Sequence, residues 1–209
     1  KVLGVLAGED FPSERLRVWA HSADLVLAAD GGADRLSEAG IEPHNVLGDL
    51  DSVTADSLQR VSDVQHDPDQ NSTDCDKLLA RVLALGQRNV TLICVEGDLL
   101  DHVLGTLHSA AKVPIAVRMV LRRGIGHIVR GPIEAVVPTE PGRRVSMLPI
   151  TSCGGVTMSN VEWSFDGRAL EPAGFNSLSN RALGTSFKVS IDEGVAFLFT
   201  ERTSEEPDW

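Results

Sequence analysis

VLGDLDSVT, residues 46–54, runs from an apolar pair through a glycine into two aspartates, Asp49 and Asp51, one residue apart. Side chains at i and i+2 of an extended segment point the same way, so these carboxylates share a direction if the apolar pair ends a strand. The surrounding sequence says that it does. Apolar runs at Val2 to Ala7, Leu25 to Ala29, Val46 to Leu47, Val90 to Val95 and Ile115 to Leu121 alternate with helix-like segments at Ser13 to Ala20, Ala33 to Ala39 and Thr73 to Leu85. Such alternation is the pattern of βαβ units, and it predicts a three-layer α/β/α domain around a mostly parallel sheet over residues 1–123. The third helix is the clearest. Leu78, Leu79, Val82 and Leu85 fall on one face, Thr73 and Asp76 form a T-x-x-D capping box, and Gly86 supplies a stop.

After Gly124 the texture changes to short β-rich runs, HIVRGPIEAVV, RRVSMLPI, GGVTMSNVEWSF, SFKVSI and GVAFLF, separated by turn residues. This predicts a second domain, an antiparallel β-sandwich over residues 124–209, whose polar ending TERTSEEPDW reads as a frayed tail.

Composition narrows the function classes. The 209 residues are 42% hydrophobic and 23% charged, enough for a sizeable core and unlike a disordered chain. A formal charge of −11 argues against a nucleic-acid partner, which would need Lys and Arg to neutralise phosphates, and points instead to a cation. Cys75, Cys94 and Cys153 lie far apart without a C-x-x-C pair, which suggests neither a disulfide framework nor a zinc site and fits a reducing, cytoplasmic setting. No apolar run reaches the roughly 18 residues of a membrane span. No charged-then-apolar leader opens the chain, and Lys1 fits a trimmed start.

Ligands of open parallel sheets bind in the crevice beyond the carboxyl ends of the strands. Four acidic stretches fall there: AADGGADRL (28–36), GDLDS (48–52), DPDQNSTDCDK (67–77) and EGDLLDH (96–102). A single aspartate at such a position is more often a cap or turn former. Several in one crevice are different, since two carboxylates about 4 Å apart repel by roughly 4 kcal/mol at an effective dielectric of 20. A divalent cation relieves that repulsion, and Mg²⁺ prefers one or two carboxylates together with substrate phosphates. Asp49 and Asp51 suit it, whereas Asp76 is accounted for by capping. Lys77 is a solvated helix residue or a neutraliser of phosphate charge, and His102 beside Asp101 is a proton shuttle or a cap. His21, His44, His66, His108 and His127 have no metal-ligand spacing, and the phosphate loop GxxxxGK[ST] is absent.

Six stretches in order resemble the thiamine pyrophosphokinases. DGGADRL (30–36), GDLDS (48–52), DQNSTDCDK (69–77), DLLDH (98–102), GVTMSNVEW (155–163) and SLSN (177–180) are similar to that family's DGGAxRL, GDxDS, DQxxTDxxK, GGRxDH, GVTxxxxxW and SxSN. The resemblance implies an α/β catalytic domain followed by a β-sandwich, in a homodimer with shared active sites. It implies transfer of diphosphate from ATP to the hydroxyethyl oxygen of thiamine, with Mg²⁺ and with AMP as the other product. Asp49, Asp51 and Asp74 would then hold the metal, with Asp30 and Gly31 lining the same site. Arg35 and Lys77 would face phosphates, and Asp101 and His102 would sit by the thiamine alcohol or aminopyrimidine. Trp163, Ser179 and Asn180, from the partner subunit, would receive the thiamine rings.

Some positions depart from the pattern. Leu99 stands where the family has arginine, Asp98 replaces a glycine, Asp34 an asparagine, and Glu162 a lysine, so a cation is missing and the surround is more acidic. This motivates a second reading, a homologue that binds thiamine or a nucleotide with weakened catalysis. A third reading comes from DLDSV, which fits the DxDx[TV] nucleophile motif of haloacid-dehalogenase-like phosphatases, with GDLLD (97–101) similar to their metal motif. Gly48 between the apolar pair and Asp49, two preceding βα units, and the unused DQNSTDCDK and β domain count against it.

Overall fold

The computed structural model describes residues 1–9, 11–59, 61–97, 99–202 and 207. The chain forms two compact units, Lys1–Arg122 and a second that begins at Arg123.

In chain order the first unit contains β1 (Val2–Val5), α1 (Ser13–His21), β2 (Leu25–Ala29), α2 (Gly32–Glu38), β3 (Asn45–Gly48), α3 (Ala55–Leu58), β4 (Val64–His66), α4 (Asp74–Ala84), β5 (Asn89–Ile93), α5 (Leu100–Lys112) and β6 (Ala116–Leu121). The six strands are parallel in the order β6-β5-β1-β2-β3-β4. Leu3 lies opposite both Val26 and Thr91, so β1 is central, and its Val2, Leu3 and Val5 are buried. The chain steps outward from β1 to β4, then crosses back to β5 and β6 on the other side. Right-handed crossovers therefore place α1 to α3 on one face and α4 and α5 on the other, and the packing of α1 on α2 and of α4 on α5 agrees. Because the strands run the same way, every strand-to-helix loop opens at one sheet edge, where the acidic stretches stand.

The capping box at α4 is complete. The Thr73 Oγ1 accepts from the Asp76 N–H at 3.0 Å, and Asp76 Oδ2 accepts from the Thr73 N–H at 3.1 Å. Leu78, Leu79 and Val82 are fully buried, but Leu85 is the C-cap and 38% exposed, so the apolar face ends one turn earlier than its spacing suggests. Sequence reading also passes over α3 and β4. At four and three residues, with most of their positions exposed or half-buried, they carry no hydrophobic period.

The second unit contains β7 (Gly124–Arg130), β8 (Ile133–Pro138), β9 (Arg144–Pro149), β10 (Cys153–Ser159), β11 (Phe165–Leu170), β12 (Ser177–Arg181), β13 (Ser186–Ile191) and β14 (Val195–Glu201). Antiparallel pairing gives β12-β9-β14-β7 and β11-β10-β13-β8. Alternate residues Val145 and Met147, Val156 and Met158, Phe187 and Val189, and Ala196 and Leu198 fill the core between them. HIVRGPIEAVV is two strands, split at Gly131 and Pro132, and GGVTMSNVEWSF stops being a strand at Ser159, leaving Trp163 in a turn. The strands β11 and β12 were not expected from the sequence, since β11 is mostly exposed and β12 is interrupted by a bulge. All three cysteines are buried, and none is in a disulfide. The stretch expected to fray starts as strand, because Thr200 and Glu201 belong to β14 and Thr200 is buried; after Arg202 the tail lies, except for Pro207, outside the described residues.

Candidate active site

At the end of β2, Asp30 turns with φ 40° while its N–H donates to the Leu47 carbonyl at 2.7 Å, and its side chain is buried. The following helix α2 starts close to β1: a Cβ on Gly32 would lie 2.2 Å from the Val5 carbonyl oxygen, so only glycine fits. Gly31 is the N-cap of α2. From β3, Gly48 leads into Asp49 with φ 151°, and a Cβ there would lie 2.9 Å from the Asp30 Cβ and 3.1 Å from an Asp74 oxygen. The missing side chain is what allows these acids to converge.

Carboxylate oxygens of Asp30, Asp49 and Asp51 lie within 4.8 Å of one another. Their convergence does not come from an extended segment, as the i, i+2 spacing suggested. Leu50 has φ 62°, and the Asp51 N–H donates to Asp49 Oδ1 at 3.4 Å, so a tight turn brings the pair round. One oxygen of Asp30 accepts from the Ser52 N–H at 3.3 Å, while Oδ1 is buried without a hydrogen-bond partner. Burial, and next the Asp74 charge, push the Asp30 carboxyl above its ordinary range despite that bond. Asp49 is held below it, chiefly by the Gln70 side-chain amide, which donates to Oδ2 at 2.9 Å. An anionic, all-oxygen set with one unpartnered buried oxygen suits a hard divalent cation such as Mg²⁺.

Asp74 stands beside this set, not in it. Burial raises its carboxyl, and the buried Lys77, with Nζ 3.5 Å from Oδ1, works against the rise. Asp67 and Asp69 are turn formers, accepting from the N–H of Asp69 and Asn71 respectively. Two contributors escaped sequence reading. Gln70 was hidden by its acidic neighbours, and Asp34 accepts from both the N–H and the hydroxyl of Thr54, tying the loop after β3 to α2.

Arg35 is engaged within the chain, donating to Glu38 at 2.7 Å and to the Phe11 carbonyl at 3.0 Å, while its Nε is buried without a partner. Asp101 and His102 lie exposed on the first turn of α5, at the same sheet edge as the acids, behind the N-cap Leu99, which is 61% exposed. Asp98 lies outside the described residues. In the second unit Trp163 is 57% exposed, Ser179 is exposed with φ 56°, and Asn180 is buried. Gly48 belongs to β3, so Asp49 does directly follow a strand, and the glycine by itself does not weigh against a phosphatase nucleophile.

Comparison with curated protein sequences finds no significant match. The chain matches the family model of the thiamin pyrophosphokinase catalytic domain over residues 16–121, and that of the thiamin pyrophosphokinase vitamin B1 binding domain over residues 134–196. Its fold is similar to solved thiamine pyrophosphokinases. The Bacillus subtilis structure has TM-score 0.80 and 19% identity, covering 98% of this chain and 100% of that one. The Candida albicans structure has TM-score 0.80 and 15% identity, covering 96% and 88%. The yeast structure has TM-score 0.77 and 14% identity, covering 96% and 86%. No such likeness or domain match favours a phosphatase. With the catalytic-domain match covering half of the chain and the vitamin-binding match following it in the second unit, the chain belongs to the thiamine pyrophosphokinase family.

Proposed function

We propose that this thiamine diphosphokinase draws its diphosphate from ATP in a Mg²⁺-dependent reaction, releasing AMP, with Asp30, Asp49 and Asp51 at its centre. The observation that carries this is their convergence at the strand ends, with the unpartnered Asp30 oxygen facing no protein donor. The thiamine hydroxyethyl oxygen attacks the β-phosphorus of ATP. The bond from that phosphorus to the oxygen bridging to the α-phosphorus breaks, and AMP leaves with the electron pair. Asp49, Asp51 and Asp30 would hold the Mg²⁺, with Asp74 beside them, and the ion supplies neutralisation of charge on the phosphoryl oxygens. Lys77 holds Asp74 in place and adds positive charge. Arg35 braces α2 against the loop after β1, and its guanidinium would add positive charge facing phosphate. Asp101 and His102, exposed on the first turn of α5, would take the hydroxyl proton. The thiazolium ring is cationic, and the exposed indole of Trp163 gives it an aromatic face worth about 0.5–2 kcal/mol.

The family resemblance further supports a homodimer in which the second copy supplies Trp163 and Ser179. Among the described residues no helix is long and apolar enough to cross a membrane, and the reduced cysteines favour the cytoplasm. One observation favours the weakened-catalysis reading: the N-cap of α5 carries an exposed Leu99 where the family carries arginine.

The test is direct. Incubation with ATP, Mg²⁺ and thiamine, followed by separation of nucleotides and thiamine forms, is expected to yield AMP and thiamine diphosphate. Production of ADP or free phosphate overturns the reading, and saturable thiamine binding without AMP supports the weakened homologue. Alanine at Asp51, which is exposed, abolishes turnover while leaving the fold intact; an unfolded variant would make this carboxylate structural.

A further inference from the structure

We infer that Asn180 acts as a positioning residue which aims the indole of Trp163, and that it does not itself contact thiamine. The inference rests on the reading that Trp163 faces thiamine.

The device begins in the strand register. β12 pairs with β9 through Ser177 opposite Met147, then Asn180 opposite Val145, with a register shift between them. In a regular strand, side chains three residues apart point to opposite faces. The extra residue here, with Ser179 at φ 56°, lets both Ser177 and Asn180 turn inward, while Leu178 and Ser179 face out. The Ser179 N–H donates to Ser146 Oγ at 2.9 Å and pins the bulge.

Asn180 is 1% exposed, and its amide is fully used. Oδ1 accepts from the Trp163 N–H at 3.1 Å and from the Arg181 N–H at 2.9 Å. Nδ2 donates to the Trp163 carbonyl at 2.9 Å and to Ser177 Oγ at 3.2 Å. A side-chain amide has two N–H groups and two oxygen lone pairs, so nothing is left for a ligand. Both backbone groups of Trp163 end on this one side chain. The adjacent backbone is secured as well, by the Glu162 N–H donating to the Arg181 carbonyl at 2.9 Å and by a bridge between Val161 and Ala182. A rigid backbone beneath a 57% exposed indole is a preorganised aromatic surface, which costs a ligand little ordering on binding.

The test combines a structural and a kinetic readout on the full chain. With 5-fluorotryptophan incorporated, the Trp163 fluorine resonance is identified by its loss in Trp163→Phe. Asn180→Ala shifts or broadens it; an unchanged resonance overturns the positioning role. In kinetics, Trp163→Ala and Asn180→Ala each raise the thiamine KM roughly three- to ten-fold, with smaller changes in kcat, and the double variant is no worse than Trp163→Ala. If Asn180→Ala raises KM as strongly in the Trp163→Ala background as alone, Asn180 touches thiamine and the inference fails. If Trp163→Ala leaves the thiamine KM unchanged, the thiamine reading of this face falls, and the catalytic purpose of the clamp with it, whatever the resonance does. Should Asn180→Ala not fold, Asn180→Asp keeps the acceptor for both N–H groups and loses both donors. It should reproduce the resonance change in part, and the same cycle decides the outcome.

Discussion

Replacing Gly48 with alanine tests the packing that lets the acids gather. At φ 151° an L side chain is strained, and such strain costs of order 1–3 kcal/mol. The added Cβ would also sit 2.9 Å from the Asp30 Cβ, closer than carbon atoms pack, and 3.1 Å from Asp74 Oδ1. Asp30 cannot easily yield, because its N–H is bound to the Leu47 carbonyl at 2.7 Å and its side chain is buried. The end of β3 must therefore move by a few tenths of an ångström, carrying Asp49 and Asp51 with it. A cost of about 2 kcal/mol lowers Tm by about 4–8 °C in a chain of this size. Turnover depends on alignment, and displacements approaching 1 Å cost about a hundred-fold, so a loss of roughly ten- to a hundred-fold is expected. Thermal denaturation by circular dichroism and an AMP-release assay read the two effects. Gly86→Ala is the control: its φ is 72°, nothing lies within 4 Å of the added Cβ, and it stands beyond the end of α4. It should lose stability without losing turnover. Wild-type turnover in Gly48→Ala would refute the claim that this glycine allows the acids to converge.

Saturating Mg²⁺ should raise Tm, by about 5–10 °C at a hundred times its Kd, where linkage contributes about 2.7 kcal/mol. Asp30→Asn should abolish that shift, and an undiminished shift would remove Asp30 from the ion. Asp76 is held below the ordinary carboxylate range: burial opposes this, but hydrogen bonds from Thr73 and Lys112 outweigh it. A depressed folded value contributes stability above the unfolded value that disappears as pH falls through the folded one. Asp76→Asn should therefore lose about 1 kcal/mol near pH 7, with the difference from wild type closing as pH drops through about 4 and below. A gap in Tm independent of pH would contradict the linkage. Leu99→Arg should leave Tm nearly unchanged, since the side chain is 61% exposed, and should lower the KM for ATP roughly three- to ten-fold by restoring a cation. An unaltered KM would show that position 99 does not reach the phosphates.

Much of the α/β order was legible because β1, β2, β3, β5 and β6 are largely apolar and α4 announces both ends, with Thr73 and Asp76 at one and Gly86 at the other, although α5 was not among the helices expected. Hydrophobic period is the signal such reading uses, and it fails where elements are too short or too exposed to have one, as in α3, β4 and β11. It fails differently at β12. The bulge at Ser179 breaks the alternation of inward and outward residues, so SLSN reads as a loop although its two ends are buried in a sheet.

For the site, sequence order brought the acids to one sheet edge but could not rank them. Asp30 and Asp74 look alike as letters beside turns and helix starts. What separates them is what lies opposite: a lysine reaches Asp74 from one turn along α4, whereas Asp30 is buried with one oxygen facing no donor. Spacing within α4 makes the first contact foreseeable, since Asp74 and Lys77 are i and i+3 on a helix. The second depends on the register of β2 against β3 and on a glycine with no Cβ, which are properties of the assembled sheet. The same distinction governs the second unit, where SxSN and the tryptophan appear as separate ligand contacts until Asn180 is found bonded to both backbone groups of Trp163. A residue that holds a ligand contact and a residue that makes one leave the same mark in a sequence, and only the count of satisfied hydrogen bonds tells them apart.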